Sequence, residues 1–313
     1  MNFLILVLAS LLSLIILSFF MKNYKNYFIS LPVKRSSHKL PTTTSGGISF
    51  VISSTFFSIF FGNFVPLISL PLAIVGIIDD KKGVKSIIRF IVQLLTVISI
   101  LAYSDLINLN DLKGFFTTIF LIFLGTALIN LVNFMDGLDG LISLSSLIFF
   151  LILSIAIAQE YLIIFFAILP FLFYNWSPAK MFMGDTGSTF IGALIFGAIL
   201  NSGNFTNSLY LMIVLSPLLL DSSICIFRRL LAKENIFSSH KLHLYQRLNQ
   251  GGLSHSKVSI IYSFYILLIG IFFAFKNILF LKISFLFIFI LAIYLETKCA
   301  VSFKKSLMLS KSK

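Results

Sequence analysis

The 313-residue chain is 58% hydrophobic and only 11% charged, with a mean hydropathy of +1.03. So little charge over this length excludes a water-soluble globular protein and points to an all-α polytopic integral membrane protein; the absence of strand alternation excludes a transmembrane barrel. The net charge of +13 suits basic loops facing anionic lipid, so no nucleic-acid partner is expected.

Apolar runs predict about eleven transmembrane helices (10–11), near 3–20, 46–61, 64–78, 87–103, 115–132, 141–158, 161–174, 187–200, 208–226, 258–275 and 278–296. The first has no basic residue before it and no small-residue cleavage pattern after it, so it reads as a retained helix with its N-terminus outside. The two cysteines, Cys225 and Cys299, fall in or beside apolar segments and support neither a disulfide framework nor a zinc site.

Between the runs, the loops alternate in character. Segments 21–45, 79–86, 133–140, 175–186, 227–257 and the tail, with Arg89 just inside its helix, hold 21 of the 24 Lys and Arg residues. That bias makes this side cytoplasmic and leaves the C-terminus cytoplasmic as well. The polar motifs all lie on that side, so the chain reads as one transmembrane domain, 1–313, whose five cytoplasmic loops form the candidate site.

In chain order, Arg35-Ser-Ser-His38-Lys39 leads into a Pro, Thr and Gly turn before the second span; its bases meet a phosphate or simply obey the positive-inside bias. Gly76-Ile-Ile-Asp79-Asp80-Lys-Lys-Gly83 ends the third span. Carboxylates at a helix C-terminus oppose the macrodipole, which favours a chemical role over a solvated helix end. Asn133-Phe-Met-Asp136-Gly137-Leu138-Asp139-Gly140-Leu141 places two carboxylates three residues apart, on one face of a helical turn, with glycines that admit a ligand. Asn175-Trp-Ser-Pro and Phe182-Met-Gly184-Asp185-Thr-Gly-Ser bring exposed backbone N–H groups suited to an anion, and Asp185 offers a hard oxygen for Mg²⁺. For both segments the plainer reading is a turn or an N-cap. The longest loop carries His240-Lys-Leu-His243-Leu-Tyr-Gln-Arg247 and, further on, His255. Its bases suit phosphate, or a lipid surface; zinc is weakly supported because no Cys or carboxylate ligand neighbours them in sequence. Carboxylates gathered on one face need a counter-charge, which a divalent cation and a phosphate-bearing substrate supply.

Together and in this order the motifs resemble the polyprenyl-phosphate N-acetylhexosamine-1-phosphate transferase family (glycosyltransferase family 4), over about residues 30–260. Arg89, Gln93, Pro217, Asp221, Arg228 and Arg229 also fit its pattern. The resemblance implies transfer of a sugar-1-phosphate from a UDP-N-acetylhexosamine to undecaprenyl phosphate at the cytoplasmic face of the bacterial inner membrane, with Mg²⁺ (or Mn²⁺) as cofactor. It implies Asp185 as the metal ligand, Asp79, Asp80, Asp136 and His243 as catalytic groups, and Lys39, Asn133, Asp139, Asn175, Phe182, His240 and Arg247 as substrate contacts. The His-Leu-Tyr-Gln-Arg-Leu form of the fourth motif resembles a branch linked to O-antigen and related polysaccharides. A homodimer is compatible with all of this, and direct attack and a two-step aspartyl route both stay open. The competing classes are a transporter or flippase, which would place charges deep within its spans, and a non-catalytic polyprenyl-lipid-binding relative.

Overall fold

The computed structural model describes residues 3–24, 26–32, 40–107, 109–235 and 240–311. Lys39, expected to touch the nucleotide, lies outside them, as do Arg35 and His38.

Each predicted apolar run is helical. The chain forms α1 (Phe3–Asn23), a two-residue β1 (Ile29–Ser30) paired antiparallel with β2 (Thr42–Thr43), α2 (Ile48–Ile59), α3 (Val65–Ile68), α4 (Leu70–Lys82), α5 (Ser86–Tyr103), α6 (Leu112–Phe134), α7 (Leu141–Ala156) and α8 (Tyr161–Asn175). There follow α9 (Gly184–Leu200), α10 (Phe205–Val214), α11 (Ser216–Leu231), α12 (Leu244–Gln250), α13 (His255–Ala274), α14 (Ile278–Lys298) and α15 (Phe303–Lys311).

The expected run of unbroken spans is revised in two places. The 64–78 run is divided at Ser69 into α3 and α4, and the 208–226 run at Leu215 into α10 and α11, which meet at a 73° bend. Pro71 and Pro217 sit in the first turns after these breaks, where a missing N–H costs nothing. Among the described residues, five helices (α1, α5, α6, α13 and α14) are long and apolar enough to cross a bilayer alone, and the α10–α11 pair makes a sixth candidate; α2, α7, α8 and α9 are apolar but shorter.

α9 is the axis of the fold: every residue from Thr186 to Ile199 is buried. A helix apolar on all sides belongs inside. Because lipid is as apolar as leucine, its neighbours must gain by close approach, which small residues permit. Gly76 of α4 lies directly on the Asp185–Thr186 backbone, Gly47 on Gly187, and Gly192 on Ile129 of α6. By contrast α14 buries only Leu281, Ser284 and Ile288 and turns its remaining apolar surface outward.

Two polar ties hold the site end. Thr43 bridges Met181, Phe182 N–H donates to Thr43 O (2.8 Å) and Gly46 N–H donates to Phe182 O (2.9 Å), joining the first loop to the one before α9. At the C-terminal side the Arg247 guanidinium, 2% exposed, donates to both oxygens of Glu296 (2.8 and 2.6 Å) and to Leu242 O and Val301 O. Arg228 donates to the same carboxylate at 2.7 Å. Removing one partner of a buried pair strands the other charge. We therefore expect Glu296→Ala to destabilise the chain by about 3 kcal/mol, seen as a lower melting temperature in detergent; an unchanged melt would show the clamp to be idle.

Candidate active site

A cavity of about 1560 Å³ opens where these loops meet. Its polar end is lined by Asp79, Asp80, Asn133, Asp136, Asp139, Asn175, Phe182, Asp185, His240 and His243, so ten of the sequence-selected residues share one space. Its other wall is apolar, from Phe90 and Leu94 of α5 and Ile119, Ile122 and Phe123 of α6.

The acidic end is organised around Arg89, in the first turn of α5. Its Nη1 donates to Asp79 Oδ2 at 2.7 Å and to Asp185 Oδ2 at 2.9 Å. One cation thus bridges the end of α4 and the start of α9. Asp79 also accepts from Val84 N–H (2.5 Å), which curls the chain after α4 back onto it.

Asp80 differs from its neighbour. It accepts from Ser45 Oγ (2.7 Å), from the backbone N–H of Asp185 (2.9 Å) and Thr186 (3.5 Å), and from Thr186 Oγ1 (2.8 Å). A carboxylate at a helix N-terminus satisfies orphan N–H groups and meets the positive end of the dipole. Gly184 (φ +70°) rests directly on that carboxylate, leaving no room for a Cβ. The geometry therefore gives Asp80 the work of anchoring α9, at a carboxylate that also lines the cavity.

The Asp136–Asp139 turn joins α6 to α7. Asp139 accepts from Ala179 N–H (3.2 Å) and pairs with His255 Nδ1 (3.2 Å). Burial opposes its charge, but His255 and the Ala179 N–H outweigh that and hold it below the ordinary carboxylate range. Asp136 has no such partner: burial first, then the charges of Asp185, Asp80 and Asp139, push its carboxyl up to about 8. A raised folded-state value means the native protein binds the extra proton. Stability from this group is therefore full below about pH 4 and lost as pH rises through about 8. In metal-free buffer, Asp136→Asn should match the native melting temperature near pH 4 and exceed it above pH 8. Parallel pH–melting curves would refute this.

Some expected contacts are placed differently. Asn175 is 3% exposed; its Oδ1 accepts from Gly140 N–H (3.1 Å) and Ser143 Oγ (2.7 Å), and its Nδ2 donates to Met181 O (3.0 Å). Both ends of this amide fix the two loops to each other, so Asn175 shapes the wall that it also lines. Arg247 is committed to Glu296 and does not line the cavity. His243 is 3% exposed and its ring stacks between His240 (5.0 Å) and Tyr245 (5.5 Å). Asn133 Oδ1 accepts from Ser188 Oγ at 2.8 Å.

Other lining groups escaped the sequence reading. His255 was seen only as a loop base, because its partner Asp139 is 116 residues away. Asn130, unnamed by the motifs, exchanges amide hydrogen bonds (3.2 and 2.9 Å) inside the cavity wall with Gln93, which fits the family pattern; a polar residue within an apolar run was the available signal.

The family model described as "Glycosyl transferase family 4" matches residues 63–203, which hold the acidic set. A "Probable undecaprenyl-phosphate N-acetylglucosaminyl 1-phosphate transferase" of Bacillus subtilis is 29% identical over 253 residues, covering 72% of this chain and 68% of its own. A "Phospho-N-acetylmuramoyl-pentapeptide-transferase" of Staphylococcus haemolyticus is 28% identical, covering 62% of this chain and 74% of its own. A "Decaprenyl-phosphate N-acetylglucosaminephosphotransferase" of Mycobacterium tuberculosis is 37% identical over a shorter 110 residues, 30% of this chain and 27% of its own. The chain is a helical membrane protein whose residues 63–203 match glycosyl transferase family 4, and it is similar along most of its length to transferases of that kind.

Proposed function

We propose that this protein transfers N-acetylhexosamine-1-phosphate from a UDP-N-acetylhexosamine to undecaprenyl phosphate, releasing UMP, and thereby starts an O-antigen or another cell-envelope polysaccharide. The observation that carries this reading is the continuity of one cavity from an acidic end to an apolar wall. The wall's Phe90, Ile119 and Phe123 are 48%, 48% and 71% exposed, as side chains turned toward lipid would be. A polyprenyl phosphate needs that combination: a bilayer-side approach for the chain and a polar end for the head. The loop charge bias supports a site at the cytoplasmic face of the bacterial inner membrane, with the N-terminus outside, and a single catalytic domain of about eleven spans.

In the reaction, an acceptor phosphate oxygen attacks the sugar-bearing phosphorus of the donor. The bridging P–O bond breaks, and UMP leaves with its electron pair. The acceptor phosphate is largely ionised near neutral pH, so it needs orientation more than deprotonation. Asp79, held by Val84 and Arg89, is placed to orient it. Asp139 and Phe182 bound the uracil end, the phenyl ring by stacking, with Lys39 as a further nucleotide contact. His243, with His240 beside it, faces the diphosphate and sugar, and Asp136 supports the phosphate end.

The donor set fits Mg²⁺. Two carboxylates, Asp79 and Asp185, already converge on one cationic group, Arg89 Nη1, and carboxylate oxygens are the hard ligands this ion prefers. Asp185 is the chief ligand in this reading, and the ion supplies neutralisation of the charge that builds on the diphosphate.

The test uses detergent-purified protein, undecaprenyl phosphate and a panel of UDP-N-acetylhexosamines, scored by UMP release. We expect release to require lipid and Mg²⁺ or Mn²⁺ together and to fall at least about 100-fold in EDTA. Undiminished release in EDTA would remove the cation from the reading. No release with any donor would favour a lipid-binding or transport role.

A further inference from the structure

A second cluster of ligating groups joins α11 to the segment leading into α12. Cys225 sits on α11, one turn beyond Asp221, while His240 and His243 come from the segment leading into α12. One ligand atom from each of the three lies within 4.8 Å of the other two, the only such trio of His, Cys, Asp or Glu among the described residues. Cys225 is 3% exposed, and the two imidazoles stack with centroids 5.0 Å apart.

A separate observation marks the place as unfinished. His243 Nδ1 is buried and without a hydrogen-bond partner, and Asp221 Oδ1 stands 3.8 Å from it, beyond bonding range. Asp221 is itself held by Leu244 N–H (2.7 Å), Tyr245 N–H (2.9 Å) and Tyr262 Oη (2.7 Å). An imidazole that binds a metal through one nitrogen normally turns the other N–H to a carboxylate. Asp221 is in position to receive it, and a small shift of the ring would complete both contacts.

We propose that Cys225, His240 and His243 bind a thiophilic divalent cation of the zinc class, at a site distinct from the carboxylate end. One sulfur and two imidazole nitrogens are borderline-soft donors that select zinc over Mg²⁺. Ligand atoms around tetrahedral zinc stand roughly 3.3–3.7 Å apart, given its usual bond lengths, so closing the trio needs side-chain movements of about 1 Å. The cost is a long bond, 3.3 Å, from Leu242 N–H to His240 Nδ1, given up if His240 binds through its other nitrogen. Binding releases the thiol proton to solvent. His240 and His243 both line the reaction cavity, so the fourth position faces it, and an ion there withdraws both imidazoles from substrate. Zinc is then an inhibitor in the presence of Mg²⁺. The binding stands on the trio alone; the inhibition rests also on the proposed reaction.

The experiment loads metal-stripped full-length protein in detergent with Co²⁺ as a spectroscopic probe and displaces it with Zn²⁺. A thiolate-to-cobalt absorption band is expected at one equivalent, lost in Cys225→Ser and kept in Cys299→Ser. Absence of the band, or its survival in Cys225→Ser, overturns the site. Should Cys225→Ser fail to fold, His240→Asn provides the second reading: Co²⁺ affinity at least tenfold weaker supports the trio, and unchanged affinity overturns it. In the turnover assay Cys225→Ser should keep native activity without zinc and need at least tenfold more Zn²⁺ for half-inhibition; equal sensitivity would overturn the inhibitory role while leaving the cobalt result to judge the site.

Discussion

Asp185→Asn should lose at least about 10³-fold in turnover while melting at the native temperature. The substitution keeps the side chain's size and leaves the Asp185 backbone N–H on Asp80 (2.9 Å). The fold therefore loses little: Arg89 retains Asp79 at 2.7 Å and is itself about a third exposed, so its second ion pair is screened by solvent. What disappears is one of two negative charges that converge on a single cationic centre. A divalent ion would feel that loss directly, and so would a transition state that depends on it. Turnover within tenfold of native would remove Asp185 as chief ligand. A collapsed melt would assign it to structure instead.

Asp80→Ala should fail in the opposite order, with stability lost first and activity as a consequence. This carboxylate receives the Ser45 and Thr186 hydroxyls and the first N–H groups of α9. Removing it strands several buried donors at about 1–3 kcal/mol each, and unpins the most deeply buried helix of the fold. A loss of about 3 kcal/mol or more is expected, with a melting temperature lower by roughly 10 °C in a chain of this size. Asp80→Asn should fall between, since one amide oxygen can still accept. If Asp80→Ala melted normally yet were inactive, Asp80 would act in the chemistry and not through the fold.

The contrast between these two neighbours shows where sequence stops informing. The positions of the helices were legible because burial in lipid demands long apolar runs, and each run is helical. The breaks at Ser69 and Leu215 were not, because mean hydropathy passes smoothly across a polar or bent residue inside an apolar stretch. The acidic residues were legible as a set, since charge beside lipid is costly without a purpose. Their division of labour was not: Asp80's partners lie 35, 105 and 106 residues away, and only folding brings them to it. Arg247 looked like a phosphate contact until Glu296, within a distant apolar helix, took up its guanidinium. Cys225 was dismissed as a metal ligand for the same reason. A cysteine in an apolar run shows nothing in sequence of the two histidines that come to face it.

The glycine contacts along α9 carry a consequence for how donor choice can vary. Where Gly76 meets the Asp185–Thr186 backbone and Gly47 meets Gly187, main chain abuts main chain. No rotamer intervenes that could yield to a bulkier or smaller ligand. The acidic end of the cavity thus acts as a fixed gauge, set by backbone spacing. The residues from His240 to Gln246 and around Asp139 that line the same cavity are side chains on short connecting segments. In the proposed reaction, a change of sugar would be fitted there, by residues that swing, while the backbone-set end keeps its dimensions.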